Sequence, residues 1–215
     1  DASEDDIIAK IEDLNARNDI NGILVQLPLP SQDADRIVSA IHHLKDVDGF
    51  HTENRRLLLA NTPNLVPPVT LAIMRLLQAT RRTLNKKTGV IIGNSEIFAE
   101  PLIELMRDAG VTTTFVTRET EGLAAIARAA DIIVVAVGEK DFLKSDMIKE
   151  SATVIDVGTN KIDGKTYGDA SPDIIGHAGF VSPVPGGVGP LTVAYLLYNV
   201  IKAMEVQLRL RGEEV

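Results

Sequence analysis

The chain has 215 residues with a formal net charge of −8, 45% hydrophobic and 4% aromatic residues, and no cysteine. That length and apolar content supply one large or two small aliphatic-cored domains, and the acidic balance argues against a binder that needs a broad basic surface. The missing cysteines exclude disulfides, thiolate nucleophiles and Cys-based zinc sites, and no apolar run approaches the length of a membrane span.

The chain opens on Asp1-Ala2-Ser3-Glu4-Asp5-Asp6, which has neither the basic nor the apolar region of a signal peptide. Ser3 with Asp6 resembles a capping box, and Ile7, Ile8, Ile11 and Leu14 form one apolar stripe, so a helix is predicted over 4–16. Its apolar face needs a cover and no strand precedes it, so further sequence upstream is expected. An apolar strand is predicted over Gly22–Leu27, stopped by Pro28 and Pro30, then a helix over 33–43 and the acidic turn Asp46-Val47-Asp48-Gly49. A polar stretch leads to Pro67-Pro68, with a linker near Asn61–Pro68 and a helix over Thr70–Thr80. From Lys86 a βαβαβ series is predicted: strand Gly89–Ile92, helix 97–109, strand 111–116, helix 121–129, strand Asp131–Val137 and strand Thr153–Val157. The runs Val90-Ile91-Ile92 and Ile132-Ile133-Val134-Val135 are continuously apolar, as in central parallel strands covered on both faces. The expected fold is α/β, with a doubly wound half and a parallel sheet from about residue 86 onward.

The run Ser182-Pro183-Val184-Pro185-Gly186-Gly187-Val188-Gly189-Pro190 has three prolines and three glycines. Its glycines permit close approach to a ligand and its prolines stiffen the loop. A helix is predicted over Leu191–Leu210, with Pro190 in its first turn and backbone donors at its start. A tight turn between packed elements accounts for the run equally well.

The turn Gly93-Asn94-Ser95 occupies the place of a dinucleotide phosphate loop, although it is not GxGxxG. Arg118 follows the next strand, where an arginine accommodates a 2′-phosphate, so it favours NADP over NAD; a solvated surface arginine is the competing reading. Glu96 and Glu100 oppose phosphate binding at that helix start. Asp46 and Asp48 form either an Asx-turn or a carboxylate facing a ligand. Gln26 is either a satisfied core amide or a site residue at a strand's carboxyl end. The histidines at 42, 43, 51 and 177 are expected at scattered surface positions, with no metal site.

Taken together, Gly22–Pro30, Lys45-Asp46-Val47-Asp48-Gly49-Phe50-His51, Val154–Gly158, Gly168-Asp169 and Pro183–Val193 resemble the bifunctional methylenetetrahydrofolate dehydrogenase/cyclohydrolase (FolD) family, in its order and over nearly the whole chain. The resemblance implies oxidation of 5,10-methylenetetrahydrofolate by hydride transfer to NADP, then hydrolysis of the methenyl product to 10-formyltetrahydrofolate. It implies a cytoplasmic homodimer of one-carbon metabolism that binds neither nucleic acid nor membrane. Asp48 would bind the pterin edge and Gln26 would orient the catalytic lysine, giving Gln26 and Asp48 as catalytic candidates. Asp48, Pro185, Gly186, Gly187 and Val188 would bind folate, and Gly93, Asn94, Ser95, Arg118 and Thr159 would surround NADP, with NAD the less favoured cofactor. A partial folate-binding catalytic domain is expected over 1–64 and an NAD(P)-binding domain over 65–215, with the C-terminal helix, about 190–211, packing back on the first. The family's lysine lies in a Tyr-x-x-x-Lys motif expected upstream of Asp1, and Lys45 belongs to the aspartate turn instead. Pro67-Pro68-Val69-Thr70, Phe98-Ala99 and Arg56 also depart from the family pattern. These departures leave a fragment of a divergent member as the first reading and a non-catalytic folate- or nucleotide-binding relative as the second.

Overall fold

The structure is a computed structural model that describes residues 2–27 and 29–213. The chain divides into two compact units, one of Asp1–Pro68 with Val193–Val215, the other of Val69–Thr192.

The first unit is helical. Helix α1 (Glu4–Ala16) starts as its sequence demands: Ser3 Oγ accepts from Asp6 N at 3.1 Å and the Asp6 carboxylate accepts from Ser3 N at 3.1 Å. Its stripe closes a core of Ile11, Ile23, Ile37 and Ile41, flanked by Ile7, Ile8 and Leu14. Helix α2 (Ala34–Ala40) is shorter than its apolar pattern predicts and is capped by Asp33, whose carboxylate takes the N–H groups of Asp35 and Arg36. The strand expected over Gly22–Leu27 does not form. The segment is extended, but among the described residues its one ladder contact is a parallel bridge between Ile23 and Asp46. Pro28, half of the predicted stop, lies outside the described residues. Helix α3 (Thr52–Leu59) occupies the stretch read as polar.

The second unit is doubly wound. Helix α4 (Pro68–Ala79) leads to strands β1 (Thr88–Gly93), β2 (Thr112–Val116), β3 (Ile132–Ala136), β4 (Thr153–Asp156) and β7 (Phe180–Val181), which form one parallel sheet in the order β2-β1-β3-β4-β7. Helices α5 (Glu96–Asp108) and α6 (Leu123–Ala129) make the crossovers. Ile91, Ile92, Ile133, Val134, Val135 and Ile155 have no exposed surface, as the continuous apolar runs require. Each such side chain contributes about 1.5–3 kcal/mol by burial. A hairpin of β5 (Asn160–Ile162) and β6 (Lys165–Tyr167) turns through Asp163 and Gly164, both at positive φ, the geometry that favours an Asp-Gly pair.

The last helix, α7 (Val188–Arg211), starts three residues before its predicted first residue. Pro190 therefore stands third rather than at the start, still among positions whose N–H has no partner within the helix. Within the first unit its Asn199 amide donates to Val47 O and Val66 O, both at 2.9 Å, and its Gln207 amide donates to Asn21 O at 2.9 Å and Leu44 O at 3.1 Å. These bonds give backbone carbonyls on both sides of the acidic turn a buried partner.

Candidate functional site

In the first unit the acidic turn separates its two carboxylates. Asp46 is 1% exposed, and one of its oxygens accepts from His51 N at 2.8 Å and from the Asn54 amide at 3.1 Å. It builds the turn and seats the start of α3. Burial pushes its carboxyl above the usual range, opposed by those same donors. Asp48 is different: it is half-buried, and among the described residues no donor reaches its carboxylate. Burial first, and the charge of Asp46 second, push it up to about 6. Asp46 is thus the structural member of the pair, and Asp48 is the acceptor that has no donor among the described residues. The Ile23–Asp46 bridge is parallel, so Gln26 and Asp48 both follow the same pairing in the same direction. Gln26 is exposed, with its amide on Leu27 O at 3.1 Å, which rules out the core-amide reading.

Lys45 is a buried structural cation. Its Nζ donates to the carbonyls of Leu14 at 3.1 Å, Asn15 at 2.8 Å and Arg17 at 2.6 Å, where α1 ends. All three of its protons are used. Burial lowers its pKa, helped by the charge of Arg211. The Tyr-x-x-x-Lys spacing, expected upstream of Asp1 and nowhere else, does occur once within the chain, at Tyr198 to Lys202 on α7, which corrects that expectation. Tyr198 is 52% exposed and packs edge-on to Tyr195, with centroids 6.3 Å apart.

Three of the four histidines are not scattered. His42 and His43 stack at 4.8 Å and His51 lies 6.1 Å from His43. Burial lowers the pKa of His42 and His43, and the neighbouring rings add to it. His51 Nδ1 accepts from Glu53 N at 3.0 Å and caps α3. His177 is apart from these, with Nε2 3.2 Å from Ile148 O.

In the second unit the sheet order reverses between β1 and β3, where open α/β sheets bind ligands at the strands' carboxyl ends. The carbonyl of Val137, just past β3, collects two of the predicted cofactor residues. Asn94, past β1, donates to it from Nδ2 at 2.9 Å, and Arg118, past β2, donates from Nη2 at 3.3 Å. Gly93 is buried, and a Cβ there would meet Ala136 O and Phe115 at 3.6 Å. Ser95 is the N-cap of α5, its Oγ accepting from Phe98 N at 3.4 Å. Thr159 is exposed beyond β4, next to Gly158. In the proline-glycine loop Pro185 and Gly186 are exposed, while Gly187 and Val188 are buried. A Cβ on Gly187 would come within 2.5 Å of Pro183 O, so this position requires glycine.

Sequence reading missed the clamp behind these loops. Asp169 is fully buried, and its carboxylate accepts from the N–H of Val137 at 2.6 Å, Gly138 at 3.0 Å and Glu139 at 3.0 Å and from the Asn160 amide at 2.8 Å. Asp156, 3% exposed, accepts from the N–H groups of Gly158 at 2.9 Å, Asp169 at 3.0 Å and Ala170 at 2.9 Å. Burial pushes Asp156 upward against those donors. A Cβ on Gly158 or Gly168 would collide with one of the two carboxylates, which accounts for glycine at both positions. The visible signal was the Gly-Asp pair 168–169, but its partners lie some thirty residues away. A separate cavity of about 500 Å³ borders β7, Ser182 and Pro183 and includes none of Gly93, Asn94 and Arg118. Strand-end convergence, not cavity size, marks the candidate cofactor site.

The fold and these strand ends define a two-unit α/β protein with a doubly wound, dinucleotide-binding type of second unit. Residues 67–208 match the family described as tetrahydrofolate dehydrogenase/cyclohydrolase, NAD(P)-binding domain, and residues 1–48 match the catalytic domain of the same family. The bifunctional protein FolD of Burkholderia pseudomallei (strain 668) is 45% identical over 206 residues, covering 94% of this chain and 72% of the relative. Among solved structures, the bifunctional enzyme FolD from Campylobacter jejuni superposes with a TM-score of 0.89 at 39% identity, covering 97% of this chain and 75% of that one. FolD of Trypanosoma brucei, complexed with NADP cofactor and inhibitor, gives 0.90 at 32% identity, with the same coverage. The chain belongs to the tetrahydrofolate dehydrogenase/cyclohydrolase family.

Proposed function

We propose that this chain carries the folate- and NADP-binding parts of a methylenetetrahydrofolate dehydrogenase/methenyltetrahydrofolate cyclohydrolase of cytoplasmic one-carbon metabolism, working as a homodimer. The observation that carries the folate half is Asp48, a half-buried carboxylate without a donor among the described residues, beside a twin that holds two. A pterin presents an amino group and a ring N–H side by side, and one carboxylate accepts both in a bidentate pair. Supporting the cofactor half are the naming of the matched family, the exposed Arg118 guanidinium and a side-chain-free strand end at Gly93. When bound, NADP accepts the hydride from the folate's one-carbon unit. The chain's own residues position: in the first unit Asp48 holds the pterin, and in the second unit Asn94 and Arg118 seat the nucleotide. Thr159 and Ser95 complete that shell, Ser95 mainly by fixing the start of α5.

Calorimetric titration of the 215-residue polypeptide with tetrahydrofolate and with NADP tests this directly. Micromolar binding of both is expected; failure of both ligands to bind overturns the reading. Turnover of methylenetetrahydrofolate, followed by NADPH absorbance, is expected to be about 10²–10⁴-fold below that typical of enzymes. A positioned acid/base contributes that factor, and the Lys45 ammonium is committed to three backbone carbonyls. Ordinary turnover by this polypeptide would show that another group does the proton transfer.

Arg118→Ala is expected to weaken NADP binding by about tenfold and NAD by much less, since only the 2′-phosphate uses the guanidinium. Equal losses for the two cofactors would reduce Arg118 to a surface charge.

A further inference from the structure

Arg118 is not waiting alone. Its Nη1 lies 3.2 Å from the carboxylate of Glu139, and the Glu119 carboxylate stands 3.7 Å from its Nε. Its Nη2 is on the carbonyl of Val137, two residues before Glu139. The guanidinium is therefore tied at two points to a single three-residue loop. That loop is held in turn: the N–H groups of Val137, Gly138 and Glu139 all go to the buried Asp169 carboxylate. The backbone under Glu139 is fixed, although its side chain is 54% exposed. An ion pair this exposed adds little to stability. Its consequence lies in what it does to the guanidinium's next partner.

We infer that Glu139 is a cofactor-discriminating residue, whose carboxylate competes with a 2′-phosphate for Arg118 and offers an acceptor to a free 2′-hydroxyl. The inference rests on the reading of Arg118 as the 2′-phosphate ligand. A phosphate arriving at the guanidinium must displace one carboxylate and then sit, with nearly two negative charges, beside both Glu139 and Glu119. A ribose 2′-hydroxyl meets no such repulsion and can donate to Glu139, in the manner of the acidic residue that reads the ribose in NAD-binding sheets. The net effect is to narrow the preference for NADP that Arg118 alone would give, so that NAD is accepted at a comparable level.

The test is fluorescence titration of NADPH and NADH against the 215-residue chain and its Glu139→Gln, Arg118→Ala and doubly substituted forms. Glu139→Gln removes the charge, keeps the side-chain shape and touches no buried group. It is expected to tighten NADPH by roughly three- to tenfold while NADH is unchanged or weaker. In the Arg118→Ala background the same substitution is expected to shift the ratio of the two dissociation constants less, because only the competition for the guanidinium is lost. A Glu139→Gln ratio equal to that of the unsubstituted chain overturns the inference, as does a shift that persists in full without Arg118. Binding of both cofactors with equal losses in Arg118→Ala overturns the parent reading of Arg118 and this inference with it. Failure of the unsubstituted chain to bind either cofactor overturns the cofactor site itself.

Discussion

Asp169→Asn is expected to lower the unfolding free energy by about 3 kcal/mol or more, the loss typical of a buried charged acceptor stripped of its complement. Among the described residues this carboxylate has four donors, all N–H groups: three from the backbone of residues 137–139 and one from the Asn160 amide. An asparagine turns one acceptor into a donor and faces N–H with N–H in a site with no exposed surface. The clamp also ties β3's exit to the end of the β5–β6 hairpin, so the substitution loosens the loop that carries the Val137 carbonyl and, with it, Asn94 and Arg118. NADP affinity should fall along with stability, although Asp169 is not exposed to the cofactor. Urea denaturation followed by far-UV circular dichroism checks the first effect, and NADPH titration below the transition checks the second. An unchanged midpoint would mean that the carboxylate's hydrogen bonds are not what holds the loop.

How far the sequence carries depends on whether the cause of a structure is local. The central strands were legible because Val90–Ile92 and Ile132–Val135 are apolar without interruption, and only strands covered on both faces tolerate that. The capping box at Ser3 and Asp6 was legible because its two hydrogen bonds close within three residues. The segment Gly22–Leu27 has the composition of a strand, but a strand also needs a lateral partner, and among the described residues it finds one bridge only. Helix α3 escaped because its cap is His51, outside the usual Ser, Thr, Asp and Asn set, and because its buried Asn54 reads as surface. The β5–β6 hairpin carried its signal openly in Asp163-Gly164 and was overlooked. In the site, Asp48 and Arg118 could be picked out by motif and by position after a strand. Asp169 and Glu139 could not, because their roles are set chiefly by partners 21 to 32 residues distant in sequence. Motif reading finds groups that face a ligand, whereas the groups that tune them depend on tertiary contacts.

Asp48→Asn is expected to stabilise the protein and to weaken folate binding in the same experiment. The carboxyl is held at about 6 against an ordinary 3.8, chiefly by burial and then by Asp46. The sign follows from proton counting. Between pH 4 and 6 the folded form keeps the Asp48 proton and the unfolded form has lost it, so stability declines as pH rises through that window and stays lower above it. A shift of this size corresponds to up to about 3 kcal/mol at neutral pH, and partial solvent access reduces the expected gain on neutralising the group to about 1–2 kcal/mol. Asparagine carries no charge, so the variant should be more stable at pH 7.5 and should lose the decline between pH 4 and 6. Tetrahydrofolate affinity should fall about 10- to 100-fold, since the amide turns one acceptor toward the pterin into a donor. Asp46→Asn is the matched control. Its carboxylate already serves His51 N and the Asn54 amide, so that variant should lose stability and change affinity less. Denaturation curves at pH 4.5, 6 and 7.5 with parallel folate titrations separate the two residues. Unchanged folate affinity in Asp48→Asn would remove it from the site. A loss of stability at pH 7.5 would show that the carboxylate has a donor after all. A carboxylate left half-buried and unpaired costs stability in the free protein, and a ligand that supplies both donors recovers that cost on binding.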